Sequence, residues 1–287
     1  MKLDLLKECK NAKRIGISGH IRPDGDCVGA VLALQQYLQK CMPDAEIKVY
    51  LEQPPEIFRE LKGYEEICSE FPEQPPFDVY FALDCGAERL GEAEKYFRSA
   101  EKKINIDHHV SNTGTGDINL VEPQIGSTCE VLYDLFDGEK LDREIAKALY
   151  IGIIHDTGVF QYSNTTPETL KKGAELISYG FDFPRMIQET FYQKTYVQTQ
   201  IMGRALMESI RFLDGRCIVS VVDKKTMDFY EVTPKDMDGI VNQLRNIEGI
   251  SCAIFMYQTG TLEYKVSLRS DEKVNVAEVA SYFGGGG

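Results

Sequence analysis

The sequence predicts an α/β protein, a parallel sheet wrapped by helices followed by a smaller α/β domain. Three observations carry this. Strand-like apolar stretches alternate with helical patterns through the first half of the chain, the signature of strand–helix units. Three of the first four strands end in polar clusters, and ligands bind outside the carboxyl ends of strands in open α/β sheets. The length, 287 residues, exceeds what one compact core usually needs, so two domains are expected.

The elements follow in order. Residues 1–13 read as a short amphipathic helix with Leu3, Leu5 and Leu6 on its buried side. Residues 14–19 read as a buried strand, and His20-Ile21-Arg22-Pro23-Asp24-Gly25-Asp26 as the loop after it. In that loop Pro23 biases Arg22 towards extended geometry and Gly25 supplies freedom. A helix is expected over 27–40, with Val28, Val31, Leu32, Leu34 and Leu38 at mostly helical spacing. Strands are expected over 47–51, over 78–83 ending at Asp84, and over 103–106 ending at Asp107-His108-His109, with a helix over 90–100 between the last two.

Helices are expected over 127–136 and 143–154, the second leading into His155-Asp156-Thr157-Gly158. Thr165 or Thr166 as N-cap and Pro167 at the first helical position start another helix, which stops at Gly180. The pattern stays helical over 183–210. The expected division is a first domain over 1–190, a helical connector over 191–210 and a second domain over 211–287. That second domain reads as a strand over 217–222, a helix over 234–246, a hairpin of strands 252–258 and 262–269 around Thr259-Gly260-Thr261, and a helix over 274–283 before the glycine run 284–287.

Composition narrows the function classes. The formal charge is −13, which argues against a protein that grips long nucleic acid on a broad basic surface, but not against a short phosphorylated substrate. No apolar run approaches a membrane span and no signal peptide is apparent, so no membrane partner and a cytoplasmic location are expected. The eight cysteines are scattered without a C-x-x-C pair, so a thiolate zinc site is not expected.

The chemistry-bearing residues are His20, Asp24, Asp26, Asp84, His108 and Asp156. Any one of them alone reads as a turn, cap or surface residue. Their common placement at strand ends of one sheet edge is what joins them. Four carboxylates and two imidazoles exceed the needs of one divalent ion and suit two, with one carboxylate shared. Oxygen and nitrogen donors without sulfur suit Mn²⁺, Mg²⁺, Co²⁺ or Zn²⁺.

These motifs, in this order, resemble those of the DHH phosphoesterase family. Ser267-Leu268-Arg269-Ser270, Val274-Asn275-Val276 and the glycine run look like the DHHA1 domain, so the resemblance covers nearly the whole chain. The layout is similar to the family's oligoribonuclease and pAp phosphatase group. The resemblance implies one metal on His20, Asp24 and Asp84, and another on Asp26, Asp84, His108 and Asp156. It implies two divalent cations, Mn²⁺ first, with Mg²⁺ or Co²⁺ as alternatives. His109 would face the phosphate and Asp107 would stand behind it, so that Asp84, Asp107 and His109 form the catalytic group. Arg269, Gly284, Gly285, Gly286 and Gly287 would hold the distal part of a short RNA or nucleotide. His155 is expected to be a supporting or structural residue. In the family a histidine and more of the domain follow the glycine run, so the second domain reads as truncated at Gly287.

The implied activity is hydrolysis of very short oligoribonucleotides and of 3′-phosphoadenosine 5′-phosphate, in a chain that could also form a homodimer. A cyclic- or linear-dinucleotide phosphodiesterase is the alternative. A non-catalytic nucleotide-binding module would be expected to have lost metal ligands, and all six are present.

Overall fold

The computed structural model describes residues 3–271 and 274–285. It divides into two compact units, Met1–Tyr192 and Gln193–Gly287.

The first unit is built on a five-stranded sheet of β1 (Arg14–Ser18), β2 (Glu46–Tyr50), β3 (Val79–Leu83), β4 (Lys102–Asp107) and β5 (Ile118–Val121). The order is β2-β1-β3-β4-β5 and every pairing is parallel. All five positions of β3 are buried, as expected of a strand covered on both faces. On one face Ile15, Ile17, Phe81 and Ile104 pack in a core shared with helices Gly25–Cys41 and Arg143–Asp156. On the other face Tyr50, Phe77, Tyr80, Tyr96 and Phe97 form an aromatic cluster. The strand order reverses between β1 and β3, which opens a crevice at their carboxyl ends.

Several elements differ from the sequence expectation. The first helix is only Leu5–Glu8, with Leu5 buried. Asp24 caps the second helix through the Cys27 N–H (3.2 Å), which moves its start to Gly25. Arg22 is not extended: its φ is 54°, and its N–H donates to Glu52 Oε2 at 2.8 Å, an anchor outside the local chain. The helix expected over 90–100 is interrupted at Gly91 (φ 58°), leaving short turns and helix Glu94–Ser99. β5 had no place in the sequence reading. It is a four-residue, half-buried edge strand, too short to show a pattern.

In the second unit a sheet runs in the order β6-β7-β8-β9, from β6 (Ile210–Phe212), β7 (Cys217–Val222), β8 (Cys252–Gly260) and β9 (Glu263–Ser270). β7 and β8 are parallel, and the outer pairings are antiparallel. Ile218, Val222, Ala253 and Phe255 pack with Met227, Ile240 and Leu244. The span 191–210, expected as a helical connector, holds a π-helical turn Gln188–Tyr192 at its start and then helix Tyr196–Met207. Ile201 and Ala205 of that helix are buried in the second unit's core, and Ile210 already belongs to β6. The helix expected over 234–246 breaks at Gly239 (φ 83°) into turn Pro234–Met237 and helix Ile240–Arg245. Helix Lys224–Tyr230, capped by Asp223, was not anticipated. Among the described residues no helix is long and apolar enough to cross a membrane.

Candidate metal centre

The centre forms where β1, β3 and β4 end. Beyond β1, His20 donates Nδ1–H to the Ile21 carbonyl (2.8 Å). That choice of tautomer turns Nε2 towards Asp24 Oδ1 (3.6 Å) and Asp84 Oδ2 (3.4 Å). Beyond β3, Asp84 takes a left-handed conformation, φ 62°, and its N–H donates to the Ile106 carbonyl of β4. Its Oδ1 accepts the Thr128 hydroxyl at 3.0 Å. Beyond β4, His108 repeats the arrangement of His20. Its Nδ1–H donates to the Ile125 carbonyl (3.3 Å), and Nε2 lies 2.9 Å from Asp156 Oδ2, 3.6 Å from Asp84 Oδ1 and 3.9 Å from Asp26 Oδ2.

Helix ends complete the set. Asp26 is fully buried in the first turn of helix Gly25–Cys41. Each of its oxygens accepts a backbone N–H from the start of helix Thr128–Leu135, Thr128 at 2.6 Å and Cys129 at 2.9 Å. Asp156 is the last residue of helix Arg143–Asp156. Asp107 Oδ1 accepts from the N–H groups of His108 (2.7 Å) and His109 (3.1 Å) and from His109 Nδ1–H (2.8 Å). The His109 ring is partly exposed, and among the described residues its side-chain hydrogen bond is made by Nδ1 and not by Nε2.

All six expected donors therefore come together around Asp84, with Asp107 and His109 at the margin. Apart from Asp24, which reaches the set through His20, the donor atoms fall into overlapping groups, Asp84/Asp107/His108/His109, His20/Cys27/Asp84 and Asp26/His108/Asp156, each within 4.8 Å. Cys27 does not belong chemically: its thiol is fully buried, and burial, with Asp84 and Asp24, pushes it well above the ordinary thiol range. Its Sγ donates instead to the His20 carbonyl (3.9 Å).

The electrostatics point to cations. Burial works against a charged imidazole, yet Asp24 and Asp84 hold His20 up at about 10. Asp156 and Asp26 hold His108 at about 10 against the same penalty. Asp26 is pushed well above the usual carboxylate range, by burial first and then by Asp84 and Asp156. Asp156 is raised too, by burial first and then by Asp84, whereas Asp24, against its burial, is held down at about 2 by His20; Asp26 and Asp156 therefore hold protons more readily unless positive charge is supplied. His108 Nε2 is buried and, although Asp156 Oδ2 lies 2.9 Å away, makes no well-formed hydrogen bond, an arrangement that fits two ligands of one metal. The donor set suits divalent cations.

His155 stays out of the donor set. Its Nε2 pairs with Thr190 Oγ1 (3.1 Å) and its ring meets Phe58 and Phe191 edge-on. The ring occupies the space a side chain at Gly25 would need. In the second unit Arg269 is exposed on β9, its Nη1 donating to the Leu268 carbonyl. Gly284 (φ 77°) and Gly285 stop helix Val276–Tyr282, and their N–H groups are spent on the Ser281 and Ala280 carbonyls. Neither is free for an anion, contrary to what a glycine run suggests. Gly286 and Gly287 lie outside the described residues.

Two contributors were missed. Thr128 holds Asp84 by its hydroxyl and Asp26 by its backbone. Gly152 lies mid-helix, where a side chain would run into Cys129 Sγ and Asp26 Oδ1. A glycine inside a helix is costly, and that was the available signal.

Comparison with known proteins agrees with this geometry. The model of the DHH family, N-terminal domain, matches residues 14–153, and that of the DHHA1 domain matches residues 214–287. A bifunctional oligoribonuclease and PAP phosphatase NrnA from Thermus thermophilus is 31% identical over 278 residues, 95% of this chain and 81% of that protein. The chain belongs to the DHH family. An exopolyphosphatase-related protein from Bacteroides fragilis superposes with a TM-score of 0.89 at 26% identity, covering 98% of this chain and 86% of that one. The exonuclease RecJ, in a crystal structure bound to manganese, shares the fold, with a TM-score of 0.52 at 13% identity over 96% of this chain and 83% of that one. The DHH match holds five of the six donors, and Asp156 lies just past its limit.

Proposed function

We propose that this DHH-family chain is a metal-dependent phosphoesterase that hydrolyses very short oligoribonucleotides and 3′-phosphoadenosine 5′-phosphate. The observation that carries the reading is the gathering of His20, Asp24, Asp26, Asp84, His108 and Asp156 around one buried carboxylate. It occurs in a chain related almost end to end to a protein named for both activities. The net charge of −13 favours short substrates over long RNA.

His20, Asp24 and Asp84 would hold one divalent cation, and Asp26, Asp84, His108 and Asp156 a second. The split of Asp84 supports this: Oδ2 faces His20 and Oδ1 faces His108. Mn²⁺ is the first choice, as donors without thiolate and the manganese in RecJ suggest, with Mg²⁺ or Co²⁺ next. Such cations polarise phosphoryl oxygens and make water nucleophilic near neutral pH.

The chain's own residues do the positioning. The Ile21 and Ile125 carbonyls fix the tautomers of His20 and His108. Thr128 and the start of its helix hold Asp84 and Asp26. Asp107, by accepting Nδ1–H, favours the charged form of His109 and leaves Nε2–H to donate to a phosphoryl oxygen as charge develops there. Arg269 would bind a distal phosphate in bidentate fashion.

The test is phosphate release from pAp with Mn²⁺, for wild type and Asp84→Asn, beside a dinucleotide, a five-residue RNA and cyclic di-AMP. Turnover of pAp and short RNA, reduced more than about 100-fold in Asp84→Asn, is expected, a loss beyond that of a supporting residue. No metal-dependent turnover of any ester would overturn the reading. Faster turnover of cyclic di-AMP than of the others would replace the substrate class.

A further inference from the structure

Asn105 is an anomaly in the first sheet. It is fully buried in β4 between Ile104 and Ile106, where an amide is costly unless every polar atom is paired. All are. Its Nδ2 donates to the carbonyls of Ala82 (3.0 Å) and Cys85 (2.8 Å), which flank Asp84 on either side. The amide thus spans the left-handed turn that presents Asp84. Its Oδ1 accepts from Asn112 Nδ2 at 2.9 Å.

Asn112 continues the line. Its Nδ2 also donates to Asp107 Oδ2 at 2.6 Å, and its Oδ1 accepts the Gly114 N–H at 2.8 Å. Asp107 in turn holds His109 Nδ1–H. An unbroken run of hydrogen bonds therefore links the turn at Asp84 to the ring of His109, through groups whose polar atoms are all engaged.

We infer that Asn105 and Asn112 are positioning residues of the phosphoesterase: Asn105 clamps the Asp84 turn, and Asn112 relays that clamp through Asp107 to the orientation of His109. The assignment rests on the reading of His109 as the group that meets the phosphate. The bland alternative is that Asn112 only closes its own loop on Gly114, an Asx turn. Asn112→Ser separates the two. Its hydroxyl can still accept the Gly114 N–H, but it is one atom too short to serve both Asp107 and Asn105.

The expected result is a fall in kcat on pAp of about 10–100-fold, the range for a residue that orients a site group. KM stays near wild type, while the melting temperature falls modestly because Asn105 Oδ1 and Asp107 Oδ2 lose the Asn112 donor. In parallel, histidine ring ¹⁵N spectra of the metal-free protein show the His109 Nδ1–H held in its hydrogen bond to Asp107 in wild type, and that bond is lost in Asn112→Ser. Unchanged kcat with an unchanged His109 signature overturns the inference, as does a fall in melting temperature with kcat intact. The spectra stand apart from turnover, so an inactive wild type would defeat the functional reading while the His109 signature still decides this one.

Discussion

Every residue of β3 in the first unit is buried, whereas β7 in the second alternates between buried Ile218, Ser220 and Val222 and more open Val219 and Val221. The first sheet is covered on both faces, and the second leaves Ile210, Val221 and Val266 exposed. A sheet sandwiched on both sides leaves little room for polar side chains along its strands. Its functional groups collect where strands end, at the crevice between β1 and β3. Ser18 of β1, bonded to the Tyr80 hydroxyl, and Asn105 are exceptions, and the complete set of partners of Asn105 shows what such an exception requires.

The contrast can be broken or sharpened by substitution. The largest effect is expected from Phe81→Ala in β3, where loss of a fully buried aromatic should cost about 3–5 kcal/mol in urea unfolding. A cost under about 1 kcal/mol would mean the first core is looser than its burial implies. Next, Gly152→Ala should destabilise by about 1–3 kcal/mol, because overpacking against Cys129 and Asp26 outweighs the better helix propensity. It should also weaken Mn²⁺ binding measured by calorimetry, and a more stable variant with unaltered binding would remove Gly152 from the site.

Asp142 gives a pH-dependent effect. It caps helix Arg143–Asp156 through the N–H groups of Glu144 and Ile145. Burial raises its pKa, but the Ile145 N–H and Lys40 outweigh that and hold the carboxyl below its usual range. A depressed folded value stabilises above the unfolded pKa and is lost as pH falls through the folded one. Asp142→Ala should therefore cost about 0.5–2 kcal/mol at neutral pH. The gap should close on acidification below about pH 4. A gap that stays constant to pH 2.5, measured by thermal melts, contradicts the cap's charge dependence. The smallest effect is expected from Val266→Thr on the open side of the second sheet, within about 0.5 kcal/mol. A large loss there would show that this side is covered in solution.

The sequence made much of the first unit legible, because its buried central strands read as largely apolar runs and three of the first four strands lead into a histidine or aspartate. The second unit was harder. Helix Ile240–Arg245 and its preceding turn share one apolar pattern, and only the left-handed Gly239 separates them. β5 and β6 span four and three residues, less than a period-two pattern needs to stand out.

Taken alone, the sequence determined the residue types of the centre and their places at strand and helix ends: His20, Asp24, Asp26, Asp84, His108 and Asp156. Those are local facts, set by apolar runs that stop at polar residues. Only the tertiary structure decided how they are held. Asp84 faces two imidazoles because of a left-handed turn clamped from the neighbouring strand by Asn105. Asp26 is fixed by a helix that begins about a hundred residues later, at Thr128 and Cys129. Such contacts join positions with no shared local pattern, so they exist only once the chain has packed.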